Sequence, residues 1–334
     1  MIYSFNLSWR LTRYITLNLM RKKEKFPFVL MMEPLFRCNL SCLGCGRIQE
    51  YKDILNKVLS VEECMDAARQ AGAPIVSITG GEPLLHPEIK KIISNLIGEK
   101  FFVYLCTNGL LLEDFLDEIK PDHRLSIVVH LDGMSKTHDS ITRRKNVFSK
   151  AIRGIRKAKK MNFAVRTNTT IYKNTDIEEI SNLFGLLKEI RTDGIMVSPA
   201  FSYEVLSRDS FLSRKEINGV FKKIYENLNG SRLYNTPIYW EFLMGRRDLQ
   251  CMPWANPTVN PKGWKSPCYL ITDKHYTSYK EMLEGTGWDN YGVGKDPRCK
   301  NCMVHCGYEA SSILGSINLT DLLRVVRWNI TGRS

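Results

Sequence analysis

Residues 28–45 read FVLMMEPLFRCNLSCLGC. An apolar run of strand length, Phe28 to Glu33, stops at a proline, and three cysteines follow at once in C-x3-C-x2-C spacing: Cys38, Cys42 and Cys45. Structural zinc takes four ligands, usually as paired C-x2-C knuckles. Three thiolates on one loop suit instead an iron-sulfur cluster with one iron left open to a small molecule. A strand that delivers ligands from its C-terminal end is the habit of parallel α/β folds.

The rest of the chain supports that fold. Short β-rich runs at Ile75 to Thr79, Phe101 to Cys106, Leu125 to Leu131, Ala164 to Ile171 and Ile195 to Pro199 alternate with amphipathic helical patterns. One helix is expected from the Ser60/Glu63 capping box to Gly72, and another from His86 with Pro87 in the favoured first position. Further helices are expected near Leu112 to Ile119, Val147 to Met161 and Asp176 to Ile190. Six βα units predict a partial (β/α)6 barrel over residues 26–205, with its chemistry at the strand ends. Gly80, Gly81 and Glu82, Cys106 and Asn108, His130 to Gly133, and Asn168 all fall there. Beyond residue 205 the rhythm stops, and a Pro-, Trp- and Cys-rich extension, 206–334, reads as a smaller metal-stabilised domain.

Composition sets the outer limits. The chain has 334 residues, 43% hydrophobic and 25% charged, with 22 Gly and 13 Pro, which is ordinary globular usage and excludes disordered and collagenous classes. No apolar run approaches the roughly 20 residues of a membrane span, so a soluble or peripheral protein of the cytoplasm is expected. The 10 cysteines, with no secretory leader pattern, read as ligands or catalysts rather than disulfides.

Net charge is +13. One basic block, Arg143 to Lys160, overlies an apolar stripe of Ile152, Ile155 and Ala158 and reads as a solvated helix face. The other lies in residues 1–25, where Arg10, Arg13, Arg21, Lys22, Lys23 and Lys25 face only Glu24. Tyr3, Leu7, Leu11, Tyr14, Ile15 and Leu19 recur there at helical steps beside Trp9. Such a helix either lies in the headgroups of an anionic membrane, with the inner membrane the expected location, or covers the bottom of the barrel. No RNA-recognition or helix-turn-helix pattern is present, so no nucleic-acid partner is expected.

The cysteine spacing resembles that of the radical S-adenosylmethionine (SAM) superfamily. That resemblance implies a 4Fe-4S cluster on Cys38, Cys42 and Cys45 whose open iron takes SAM, with Gly80, Gly81 and Glu82 near the SAM amino group and Asn108, Asp132 and Asn168 toward ribose or adenine. A closer resemblance, to the adenosylhopane synthases of hopanoid biosynthesis, runs through Glu33 to Leu40, Gly80 to Ile89, Tyr104 to Asn108, Val129 to Gly133, Asn168 to Thr170, Cys251 to Cys268 and Cys302 to Glu309. It implies addition of a 5′-deoxyadenosyl radical to the terminal alkene of diploptene, fed by an electron donor such as flavodoxin or ferredoxin. Ser41, Leu43 and Arg47 depart from the expected Ala, Ala and Lys, which should matter little if they only shape the loop. Ala200-Phe201 replaces an expected Gly-Tyr ahead of Tyr203-Glu204 and bears on the substrate cavity.

The radical left after addition needs a hydrogen donor. Cys106, at a strand end and in no metal spacing, is the expected catalytic thiol, whereas Cys64 reads as core. In the extension, C-x11-G-x4-C (Cys251, Gly263, Cys268) and C-x2-C-x3-C (Cys299, Cys302, Cys306) resemble auxiliary-cluster extensions. A second 4Fe-4S cluster is expected, with zinc as the alternative and Cys306 as the extra thiol. Trp240, Trp254, Trp264 and Trp288 are expected to pack a core. The competing functional classes are a radical SAM enzyme acting on another lipid alkene or a peptide, and an iron-sulfur electron carrier.

Overall fold

The computed structural model describes residues 2–203, 211–228, 230–315 and 318–332. In chain order the elements are α1 (Phe5–Met20), β1 (Val29–Met32), a single turn α2 (Arg47–Glu50), α3 (Val61–Ala71), β2 (Ile75–Ile78), α4 (Ile89–Gly98), β3 (Phe102–Thr107), α5 (Leu112–Leu116), β4 (Leu125–His130), α6 (Ser135–Thr142), α7 (Val147–Lys160), β5 (Ala164–Ile171), α8 (Ile177–Ile190) and β6 (Gly194–Pro199). Then follow α9 (Arg214–Glu226), α10 (Pro237–Leu243), β7 (Thr258–Asn260), β8 (Gly263–Pro267), β9 (Thr272–Tyr276), α11 (Tyr279–Gly285), α12 (His305–Leu314) and α13 (Leu319–Thr331). Strands β1 to β6 pair in sequence order, all parallel. This is the expected α/β partial barrel.

Alternation along each strand divides its side chains between two environments. Val76, Ile78, Val103, Leu105, Ile127, Val129 and Val165 belong to the main core with the surrounding helices. The other set pairs across in layers: Ser77 beside Tyr104, Cys106 beside Val128, and His130 beside Asn168. Those residues face the inside of the barrel.

Local chemistry explains the helix ends. The α3 capping box forms as expected, with Ser60 N donating to Glu63 Oε2 at 2.7 Å and Glu63 N to Ser60 Oγ at 3.1 Å, and Gly72 closes the helix at φ +61°. The helix expected from His86 begins later, at Ile89, because Pro83–Leu85 takes up a separate 3-10 turn and His86 Nδ1 instead accepts from Glu88 N at 3.1 Å. The basic block of α7 is a solvated face, with Arg153 and Lys157 paired to Glu113 and Asp117. Cys64 is fully buried core, as are Trp240 and Trp264.

The extension expected as a domain of its own is joined to the barrel. Strand β7 pairs parallel with β1, Met31 opposite Thr258, and β8 and β9 continue the sheet antiparallel to give the order β6-β5-β4-β3-β2-β1-β7-β8-β9. The β1 edge was free to be paired, and satisfying its backbone groups by a later strand leaves one continuous sheet. The proposed boundary at 205/206, with Glu204, lies outside the described residues. Helix α1 crosses the bottom of the barrel. Leu7 is buried, and Tyr3 and Leu11 pack with Ile75, Phe102, Tyr104 and Val128, so most of the stripe offered to a membrane is turned onto protein. Tyr14 Oη donates to Pro27 O at 2.8 Å. Among the described residues no helix is long and apolar enough to cross a membrane.

Candidate active site

A cavity of about 430 Å³ occupies the barrel interior, within the roughly 300–1,000 Å³ of small-molecule sites. Cys38, Cys42 and Cys45 line its upper rim with Gly80, Gly81, Glu82, Asn108 and Asn168. The thiols are mutually repulsive once ionised: burial and their neighbours' charge push Cys38 up to about 11 and Cys42 up to about 12. Holding them as thiolates therefore calls for a cationic centre between them, which fits an iron cluster.

The glycines serve the loops as much as any ligand. A Cβ on Gly80, at φ +108°, would stand 2.4 Å from Leu35 O, and one on Gly81 2.2 Å from Arg37 O. The space they keep open is occupied by the cysteine loop, tied by Gly81 N to Leu35 O and Glu82 N to Arg37 O, both 2.9 Å. Glu82 is buried and spends its carboxylate on its own chain, accepting from Thr107 Oγ1 at 2.7 Å, Asn108 N at 2.8 Å and Leu84 N at 3.1 Å. Burial pushes this carboxyl up to about 7 in spite of those donors. It positions Asn108, whose Nδ2 donates to Asn39 Oδ1 at 2.7 Å beside Cys38.

Asp132 does not line the cavity. Its carboxylate lies behind the wall, accepting from Thr170 N at 2.7 Å and meeting His130 Nε2 at 2.6 Å. The residue that reaches the cavity is His130. Burial opposes its protonation, but Asp132 outweighs this and holds its pKa above the ordinary value. Across the register stands Asn168, whose Oδ1 is buried with no hydrogen-bond partner. An unpaired acceptor on a cavity wall suits a ligand hydroxyl or amine.

Cys106 faces the same cavity, two residues below the rim, with Ser77 Oγ 3.5 Å from its Sγ. Burial pushes this thiol up to about 11, so it stays protonated. Below it the lining is mostly apolar and aromatic, with Val128, Met196, Tyr104, Tyr234, Ala310 and Ile313, and includes the carboxylate of Glu309, which accepts from Asn235 and Thr236. Ala200 and Phe201, the positions that depart from expectation, also line the cavity, just past the C-terminal end of β6.

Sequence reasoning passed over Arg47 as a loop residue. Its side chain is buried, ion-paired with Glu33 at 2.8 Å and Glu50 at 3.1 Å, and stacked over Tyr269 with 4.3 Å to the ring centroid. Ser41 and Leu43 are exposed, as befits residues that only shape the loop. Tyr269 adjoins Cys268, so Arg47 connects the rim to a second thiol site. There Cys251, Cys268, Cys299, Cys302 and Cys306 line one small cavity of about 30 Å³. Gly307 is close enough that a Cβ would lie 2.3 Å from Cys251 Sγ. Gly263 is no part of the thiol site: at φ +111° it ends the β7–β8 hairpin. Among the described residues no three His, Cys, Asp or Glu side chains converge closely enough to hold a single metal ion.

Residues 32–187 match the model described as Radical SAM superfamily, and 195–325 that described as a domain of unknown function, DUF3463. A GTP 3′,8-cyclase of Clostridium botulinum is 29% identical over 191 residues, 54% of this chain and 60% of the relative. An AdoMet-dependent heme synthase of Methanosarcina barkeri is 30% identical over 169 residues, 49% of this chain and 48% of the relative. The chain thus spans about half to three-fifths of the length of these relatives. Among solved structures, Streptococcus suis SuiB has a TM-score of 0.62 at 15% identity, covering 94% of this chain and 81% of that one. The enzyme anSMEcpe with bound AdoMet and a peptide has a TM-score of 0.60 at 19% identity, covering 85% and 88%. At such identities these two share the fold.

Proposed function

From a barrel whose residues 32–187 match the Radical SAM superfamily model, we propose an adenosyltransferase that adds a 5′-deoxyadenosyl radical to the terminal alkene of a polycyclic hydrocarbon, diploptene, giving adenosylhopane. The observation that carries this reading is the uneven lining of the cavity: Asn108, His130, Asn168 and Thr170 stand at the thiol rim, and most of the wall below is apolar, with Glu309 there already spent on Asn235 and Thr236. A nucleoside above and a hydrocarbon below would each meet matching chemistry. A 4Fe-4S cluster on Cys38, Cys42 and Cys45 would supply the electron that splits the sulfonium C–S bond of SAM.

This chain's residues do the positioning. Asn108, held by Glu82, and Asn168, with its free acceptor, fix polar groups at the rim. Addition joins carbon to carbon and leaves a radical on the substrate. Cys106 gives that carbon a hydrogen atom, and the thiyl left behind is restored by one electron from a flavodoxin or ferredoxin and one proton from solvent. The five C-terminal thiols would hold a second cluster.

The test is anaerobic incubation of reconstituted protein with SAM, reductant and diploptene. A product with the summed composition of alkene and 5′-deoxyadenosine is expected. Cys106→Ala should still cleave SAM but lose most of the saturated product; unchanged product would place the donor elsewhere. Deoxyadenosine release with no adduct from diploptene would favour the competing peptide or other-lipid substrate.

A further inference from the structure

Two joined helices at the bottom of the barrel leave large apolar side chains in water. On α1, Phe5 is 71% exposed, Trp9 65% and Met20 74%, although Leu7 of the same helix is buried. On α13, Leu319 is 72% exposed, Leu323 61% and Ile330 57%, although Trp328 is fully buried. The pair is fixed, with Ile2 N donating to Asn329 O and Tyr3 N to Asn329 Oδ1, both at 2.7 Å, and Asn329 Nδ2 to Ser8 Oγ at 2.9 Å. Helix α13 is further held by Asp321, which accepts from Arg247 at 2.7 Å. These faces are therefore presented by a rigid support and are not fraying ends. Exposed apolar residues gathered in this way mark an interaction surface.

Charge indicates the partner. Arg13, Arg21, Lys22 and Lys23 are exposed on or just beyond α1, and Arg327 is exposed on α13. The acidic residues of these stretches are Glu24 and Asp321, and Asp321 is already paired. Apolar side chains, a tryptophan and unbalanced positive charge together match the boundary of an anionic bilayer. The cavity points to the same place. Its lower lining includes Tyr3, just ahead of α1, Leu11 of α1, and Ala310 and Ile313 of α12.

We infer that α1 and α13 dock the protein on an anionic phospholipid bilayer, and that the apolar substrate enters the cavity from this lower end, beside α1 and α12, while SAM uses the thiol rim. The route for substrate rests on the alkene reading above; the docking does not. The face of α1 concerned is the one opposite the stripe packed on the barrel, so covering the barrel and meeting a membrane are compatible tasks for one helix.

The test uses the full holo-chain with vesicles of phosphatidylcholine alone or mixed with phosphatidylglycerol, and no alkene. Binding to the mixed vesicles, weakened by salt, is expected. Trp9→Glu and Leu323→Glu should each weaken it about tenfold. The triple variant Arg13→Gln, Lys22→Gln, Lys23→Gln should weaken it roughly a hundredfold on mixed vesicles and little on phosphatidylcholine. All should cleave SAM like the parent, which shows that they fold. With diploptene in vesicles, Trp9→Glu and Leu323→Glu should lose adduct, and with diploptene in detergent micelles they should recover it. The inference is overturned if the parent ignores anionic vesicles, if both glutamate variants bind like the parent, or if these faces pair two copies, seen as a dimer that Leu323→Glu splits without changing vesicle binding. Docking without adduct from any alkene would defeat the proposed function and leave the docking intact.

Discussion

The two thiol sites are separated by the stacked pair Arg47 and Tyr269, and they differ in what their sulfurs border. Cys38, Cys42 and Cys45 edge a cavity of about 430 Å³, whereas five thiols in the extension enclose about 30 Å³. A site with three donors beside a large space leaves room for a ligand to come and go. A site with five donors and almost no space holds whatever it binds. The same side chain is thus turned to two purposes by its surroundings: a loop braced by glycines keeps one set open, and Gly307 packed against Cys251 keeps the other closed.

The largest effect should come from the open site. Cys42→Ala is expected to lower SAM cleavage, read as 5′-deoxyadenosine release, by at least about a thousandfold, with little change in thermal unfolding. A variant that still cleaves SAM would remove the open site from the chemistry. On the proposed second cluster, Cys302→Ala should behave oppositely, costing about 3–4 kcal/mol of stability, because a metal's binding energy is also folding energy. Urea unfolding and iron content per chain would show it, and equal effects on cleavage and stability from both variants would dissolve the contrast.

Behind the rim, His138 is fully buried with Nδ1 accepting from Asp132 N at 3.1 Å, and burial pushes its pKa down from 6.5 to about 4. Between those values the unfolded chain binds a proton that the folded chain refuses, so stability falls as the pH is lowered, by about 3 kcal/mol in all. His138→Gln keeps an acceptor and should flatten that part of a stability-against-pH curve. A slope unchanged by the substitution would assign it to other groups, such as His275 and His305, which burial also pushes down to about 4. The smallest effect belongs to the boundary between the sites. Arg47→Lys keeps the charge but gives up the planar stack on Tyr269, and should lower stability by about 1–2 kcal/mol with iron content unchanged. Loss of iron from either site in this variant would show that Arg47 braces the thiols themselves.

The barrel was legible because period-2 alternation and strand-end chemistry are local. β5 has the bounds the sequence suggests, Ala164–Ile171, and the other strands agree within about a residue. α6 escaped because SKTHDSIT carries almost no apolar stripe; His138 and Thr142 are what it buries. The pairing of β7 with β1 joins residues far apart in sequence, and no local pattern announces it. Among site residues, the thiols were readable from spacing alone. Asp132 was singled out over His130 because a strand-end carboxylate suggests ribose, yet only the fold shows which of two neighbours faces inward. Alternation with Asn168 and Cys106 was the available signal. Arg47 had none, since its partners Glu33, Tyr203 and Tyr269 come from three separate segments.

The late arrival of β7 also bears on how the chain is made. The β2 partner of strand β1 is made soon after it, but the partner of its other edge, residues 258–260, is made much later. At about 5–20 residues per second, that edge stays bare for on the order of ten seconds or more, beside a loop of three reactive thiols. Nascent chains should be most vulnerable to strand-to-strand aggregation and to oxidation in this interval, and a chaperone that shields residues 29–45 until β7 emerges would raise the yield of native protein more than one acting on the finished chain.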